Sequence, residues 1–290
     1  MTMNLDPTIS GDPRNAHVLA AACELAYLDE AQGTAGFREK LGLEAKFISV
    51  DNTQVYVGQN ENSVVIAFRG SEAPTTLDGL KDWLLTNANN YLILPEGRSG
   101  TDFVAAGVGA RFHRGFLDAL ENLWNPFFTS VDAAIKTQPE ERPVWVTGHS
   151  LGGAIALLAA WRLQRQFVAI HEIVTFGAPM IGNDVAAKAF EQEFEGKLFR
   201  YVDLEDPVPL LPSVSLVANT YAHSQAEVAL AATKVASVLE TLQKGTGAAV
   251  QGLLDATLID ELWGMVQNRI GSHFISNYQS KVERKLKDRV

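Results

Sequence analysis

Six residues, Gly148-His149-Ser150-Leu151-Gly152-Gly153, constrain this chain more than any other stretch of it. An apolar, β-branched segment precedes them, Val144-Trp145-Val146-Thr147, and a small, apolar, helix-favouring one follows, Ala154 to Ala160. A strand that turns into a helix within one residue brings flanking side chains into collision. Glycine at 148 and 152 removes the Cβ atoms that would clash. Ser150, at the apex, is then pushed out over the sheet edge with the unpaired N–H groups of the helix start behind it. A hydroxyl held there can attack a carbonyl carbon while those N–H groups receive the developing negative charge. The segment therefore reads as a nucleophile elbow. The bare pentapeptide without its strand and helix would be an ordinary glycine-rich turn.

The 290 residues contain no linker-like tract, low-complexity segment or internal repeat, so a single domain over 1–290 is expected. A net charge of −10 argues against nucleic acid as a partner, and against anionic lipid held by charge alone. It suits neutral or zwitterionic substrates. Cys23 is the only cysteine, which rules out an intrachain disulfide and a cysteine-based metal site, and its apolar helical setting makes it a core filler. The segment Met1–Arg14 lacks a basic leader, and the apolar patch Ala16–Tyr27 after it contains Glu24. No stretch has the length and apolarity of a membrane span. A cytoplasmic protein is expected on these grounds, with export by a route that leaves no mark in the sequence left open.

Apolar periodicity predicts a helix over Ala16–Leu41, a strand over Phe47–Val57, a polar turn at Gly58–Asn62 and a buried strand at Ser63–Phe68. Between Gly70 and Gly109 the pattern is irregular with an apolar centre. Phe112–Ala134 reads as helix broken at Pro126. After the elbow helix, which runs to about Gln166, come a strand at Glu172–Phe176, a helix over about Asn183–Glu195 and a strand at Leu198–Val202. Ala226–Ile270 reads as helical throughout and Phe274–Lys287 as a final helix. Strands alternating with helices of this length imply crossover connections and a largely parallel sheet.

A serine hydroxyl is a weak nucleophile until a base takes its proton, and that base needs an acid to orient it. On this architecture the partners follow the serine in the order acid, then histidine. The strand ending at Val202 is followed by Asp203, Glu205 and Asp206. Asp206 opens Asp-Pro-Val-Pro-Leu-Leu-Pro, whose prolines stiffen the loop and fix the carboxylate's direction, whereas Asp203 suits a local cap or ion pair. Of the later histidines, His171 precedes the acids at a strand entry and is poorly placed; His223 and His273 both fit the order.

Several motifs then appear in sequence: Phe68-Arg69-Gly70-Ser71, His113-Arg114-Gly115-Phe116, the elbow, Phe176-Gly177-Ala178-Pro179, Asp206-Pro207-Val208-Pro209, and His273 five residues before Tyr278. In this the chain resembles the class 3 lipases, the fungal-type triacylglycerol lipases and their bacterial relatives, from about Ala16 to Tyr278. The resemblance implies an α/β-hydrolase fold, a mostly parallel central sheet flanked by helices. It makes Ser150 the nucleophile, Asp206 the acid and His273 the base, and gives the oxyanion to the backbone N–H groups of Ser71 and Leu151. It leaves His223, His113 and His149 as structural histidines and Asp82-Trp83 as a packing or hinge pair. It implies no metal or organic cofactor.

Two segments exceed the compact family pattern: 72–110, where such lipases carry a lid, and 226–270, a helical insertion before His273. A packed loop is the alternative for the first. The implied activity is a lipase or carboxylesterase acting on acylglycerol-like esters, with transient contact to a lipid interface. A phospholipase, an aryl or feruloyl esterase, and a catalytically silent binding module remain as alternatives.

Overall fold

Val64, Ile66 and Phe68 alternate with Val65 and Ala67, and all five are buried, so the strand they form is covered on both faces. The same pattern recurs through the central strands. It explains the architecture of this computed structural model, which describes residues 2–71, 92–138, 140–211, 221–224, 227–230, 263–264 and 267–288. Among the described residues, β1 (Glu44–Val50), β2 (Thr53–Gln59), β3 (Val64–Phe68), β6 (Val144–His149), β7 (Ile170–Phe176), β9 (Leu198–Val202) and β11 (Glu227–Ala229) form one sheet in the order β1-β2-β3-β6-β7-β9-β11. The pairs β1/β2 and β2/β3 are antiparallel and the rest are parallel. A small antiparallel sheet joins β4 (Leu92–Ile93), β5 (Phe112–His113), β8 (Gly182–Asn183) and β10 (Tyr221–Ala222).

One face of the large sheet packs on α4 (Arg114–Lys136), α5 (Leu151–Arg165) and α6 (Asp184–Glu193), through Ile66, Phe68, Val146 and Ile173. The other face packs on α1 (Pro13–Leu25), α2 (Glu30–Leu41) and α8 (Ile275–Lys287), through Val65, Trp145, Val174 and Tyr201. The helix after the elbow, α5, is buried from Leu151 to Leu163 with no polar face, as a helix in the centre of its layer must be.

Four expectations change. The single helix over Ala16–Leu41 is two, because Asp29 accepts the Gln32 N–H at 2.8 Å and starts a new helix, while Tyr56 donates its hydroxyl to the Leu28 and Asp29 carbonyls at the bend. The strand over Phe47–Val57 is the hairpin β1/β2, turning at Asp51 with φ 50°; β2 continues through Gly58 to Gln59, and the following turn is closed by Asn60. Pro126 does not break α4. It lies on the solvent side, where water can satisfy the carbonyl it orphans, while Leu123, Trp124, Phe127 and Val131 hold the opposite side in the core. The helical reading of 226–270 fails at Glu227–Ala229, which pairs with Arg200–Val202 and covers the open edge of β9. Most of the remainder, 231–262, lies outside the described residues.

Between β4 and β5, α3 (Gly97–Phe103) lies across α5. Asp102 receives the Arg162 Nε at 3.0 Å and its carbonyl receives the Trp161 Nε1–H at 2.9 Å, so the stretch 92–110 is tied to the elbow helix. The Arg162 side chain is only 2% exposed and lies over the Trp124 ring at 3.9 Å. Arg162→Ala removes this stacking and the charge-assisted bond to Asp102, and is expected to cost about 1.5–3 kcal/mol in a urea melt. A loss below about 1 kcal/mol would show that the pair is solvated.

Candidate active site

The elbow forms because its backbone is pressed from both sides. A Cβ on Gly148 would stand 2.2 Å from the Gly152 carbonyl oxygen, and one on Gly152 would stand 2.4 Å from that of Phe68. Ser150 adopts φ 57° and ψ −132°, a conformation that costs an L-residue on the order of 1–3 kcal/mol and persists only where the surroundings enforce it. They do: the Ser150 N–H donates to Phe176 O at 2.9 Å, and its carbonyl accepts from Gly153 N–H at 2.9 Å. The side chain is consequently aimed away from the helix it begins.

Two other segments meet it. His273 lies on α7 (Ile270–His273), and its Nε2 is 2.8 Å from Ser150 Oγ. Its Nδ1 is 2.7 Å from Asp206 Oδ2, in the loop after β9. All three residues are buried, at 2–4% exposure, yet their polar atoms are partnered. An ionised carboxylate only accepts, so the Nδ1–H donates to Asp206, which leaves the Nε2 lone pair to receive the Ser150 hydroxyl proton. Asp206 also accepts the Val208 N–H at 2.9 Å and the Tyr278 hydroxyl at 2.7 Å. Burial and the adjacent carboxylate push the Tyr278 phenol well above its ordinary range, so it stays a donor.

Leu151 opens α5, where the first helical amides lack an intrahelical carbonyl. Ser71 follows Gly70, whose Cβ would stand 2.9 Å from the His149 carbonyl oxygen, so the end of β3 runs directly beside the elbow. The other candidates lie apart. His223 is half-buried with its Nε2 donating to the Pro209 carbonyl, on the acid loop and not on the serine. His171 sits edge-on to Trp145 at 4.5 Å. Asp203 accepts from Asn277 at 2.7 Å and Lys281 at 2.5 Å. His113 caps α4. Cys23 is in the core, its thiol pushed up to about 12 by burial. Asp82 and Trp83, with the stretch 72–91 of the lid segment, lie outside the described residues.

Tyr278 was legible only as a spacing motif; its contact with Asp206 spans 72 residues of sequence and left no local signal. Gly177 is a second such case. Its φ is +57°, and a Cβ there would approach the Tyr278 hydroxyl to 2.9 Å and Asp206 Oδ2 to 3.0 Å.

A family model described as "Lipase (class 3)" matches residues 65–216. Secreted mono- and diacylglycerol lipase 3 of Gibberella zeae is 31% identical over 171 residues, 57% of this chain and 49% of that protein. Secreted mono- and diacylglycerol lipase 1 of Fusarium solani is 33% identical over 175 residues, 60% of this chain and 44% of that protein. The chain thus spans about half the length of these curated relatives. The solved triacylglyceride lipase of Rhizomucor miehei superposes with a TM-score of 0.58 at 23% identity, covering 74% of this chain and 79% of that one. That likeness concerns the fold, which is the α/β-hydrolase arrangement expected from the sequence. The cytoplasmic expectation is corrected: relatives matched here are named secreted lipases. Among the described residues no helix is long and apolar enough to cross a membrane, but that observation does not argue for the cytoplasm.

Tyr278→Phe removes one charge-assisted donor from Asp206 and is expected to cost about 1.5–3 kcal/mol in chemical denaturation; an unchanged midpoint would mean that the carboxylate loses nothing. His223 is lowered by burial from 6.5 to about 3, with the Arg200 charge adding to the effect, and burial holds His149 well below 6.5. Between those values the unfolded chain binds protons that the folded chain refuses. Their contribution to stability is therefore present above pH 6.5 and lost as pH falls toward about 3. His223→Gln, which keeps a donor for Pro209, should flatten the melting-temperature profile in that window; a profile as steep as wild type would assign the loss elsewhere.

Proposed function

The chain belongs to the class 3 lipase family, and from that premise we propose that it is a serine carboxylester hydrolase of acylglycerol-like esters. The observation that carries the reading is the unbroken line from Ser150 Oγ through His273 Nε2 and Nδ1 to Asp206 Oδ2, at 2.8 and 2.7 Å, on a strained elbow. Relatives named as mono- and diacylglycerol lipases support the substrate class.

In the first half-reaction His273 Nε2 takes the Ser150 proton as Oγ bonds to the acyl carbon. The carbonyl's π pair moves to its oxygen, which is received by the Leu151 and Ser71 N–H groups. As the tetrahedral adduct collapses, the bond to the alcohol breaks and Nε2–H returns the proton to the leaving oxygen. Water, deprotonated by the same nitrogen, then releases the acid and regenerates Ser150. Asp206 holds the imidazole in the tautomer this requires and stabilises the imidazolium. The segment 72–110 is the proposed lid, and its described part, 92–110, is tied to α5 through Asp102.

The test is hydrolysis of p-nitrophenyl esters of graded chain length, followed by release of fatty acid from mono- and diacylglycerols. Ser150→Ala is expected to lower kcat by at least about 10³-fold and Asp206→Asn by about 10⁴-fold. Rates that jump on long chains above their solubility limit support the lid. Equal rates for wild type and Ser150→Ala would overturn the hydrolase reading.

A further inference from the structure

His149 is buried beside the nucleophile, and both of its ring nitrogens are engaged. Nε2 lies 2.6 Å from the main-chain carbonyl of His273, and Nδ1 lies 2.7 Å from the hydroxyl of Tyr27, at the end of the first helical segment. A carbonyl can only accept, so the Nε2 of His149 carries a proton. Burial, with His273 close by, holds this imidazole well below the ordinary histidine range, so it is neutral and Nδ1 is a lone pair. Tyr27 is therefore the donor to Nδ1. The same hydroxyl sits on the Gly70 backbone, where a Cβ would come within 2.1 Å of it.

We infer that Tyr27 and His149 are positioning residues for the base, acting as one strut that pins the main chain of His273 to the elbow. The inference rests on the hydrolase reading for its catalytic consequence. A satisfied core histidine would need any two partners. This one takes the backbone of the residue that faces Ser150, and its other nitrogen takes a hydroxyl from outside the lipase-matched region 65–216.

The need for such a strut follows from where His273 sits. Its helix has only four residues, a single turn that cannot by itself fix where the imidazole stands. Asp206 orients the imidazole through Nδ1 but does not hold the backbone that carries it. The other ties nearby, Ser272 Oγ to Glu205 O at 3.1 Å and Asn277 Nδ2 to Ser272 O at 2.9 Å, act on the preceding residue. His149 ties His273 itself, and Tyr27 contacts the Gly70 backbone just ahead of Ser71. One hydroxyl thus links the base to the oxyanion strand, two parts of the site that share no covalent neighbourhood.

The test compares kcat per active site, counted by phosphonate titration, for four variants whose melting temperatures are also recorded. Misplacement of a base by a fraction of an ångström lowers the rate without touching substrate binding. Tyr27→Phe is therefore expected to lose about tenfold in kcat and His149→Phe about 10²-fold, each with KM within about twofold of wild type. His149→Gln keeps an N–H for the His273 carbonyl and should stay within about threefold. The double variant Tyr27→Phe/His149→Phe should fall no further than His149→Phe, because Tyr27 acts through His149. Wild-type kcat per site in Tyr27→Phe, or additive losses in the double variant, would overturn the strut.

A readout independent of turnover separates this from failure of the hydrolase reading. The Nδ1 proton of His273, followed by proton NMR, should remain sharp in wild type, Ser150→Ala and His149→Gln, and broaden by exchange in Tyr27→Phe and His149→Phe. A sharp resonance in Tyr27→Phe, the milder single-atom deletion, refutes the inference whatever Ser150→Ala does to activity.

Discussion

Everything at this site depends on a backbone that has no room for Cβ atoms. The Gly148 and Gly152 contacts bring β6, the start of α5 and the end of β3 closer than alanine would permit. That closeness forces Ser150 into a positive φ and aims its side chain out of the layer it interrupts. The strain is carried by the best-packed part of the molecule. β6 lies between β3 and β7 in the middle of the sheet, and α5 is buried along nearly its whole length. A surface turn could not hold such a conformation against relaxation, because nothing would pay for it.

The second constraint is a buried negative charge. A carboxylate removed from water is tolerable only when its oxygens are occupied. Asp206 receives a backbone N–H from its own loop, and a phenol and an imidazole from the end of the chain. Its own loop makes the first of these, as the prolines direct it back on itself. The other two come from α7 and α8, so docking of this helix pair and satisfaction of Asp206 are one event. Tyr278 and Val282, four residues apart, bring the apolar face of α8 down on the sheet beside α1. The phenol that completes the acid is therefore a core residue of the fold.

The terminal helices thus do more than cover the sheet. α8 supplies the phenol on the acid, and the segment after α1 supplies the hydroxyl behind the elbow histidine. Both contacts are short, and both hydroxyls come from outside the region 65–216 where the family pattern is matched. Segments outside the matched region thus reach into the centre.

What the sequence alone determined was local. The order strand, glycine turn, helix around 148–153, the two-faced burial of β3 and the proline-directed loop at 206 follow from steric exclusion and from alternation, which act over a few residues. Where competing local signals were close in strength, reading failed: Asp29 as a cap within apolar periodicity, Asp51 as a turn inside an alternating run, Pro126 on the wet side of a helix. The resemblance already favoured His273 over His223; the phenol on Asp206 and the Tyr27–His149 contact were decided only by tertiary structure. Each joins groups 72 or more residues apart, and chain connectivity carries no record of which side chains will meet once the terminal helices dock on the sheet.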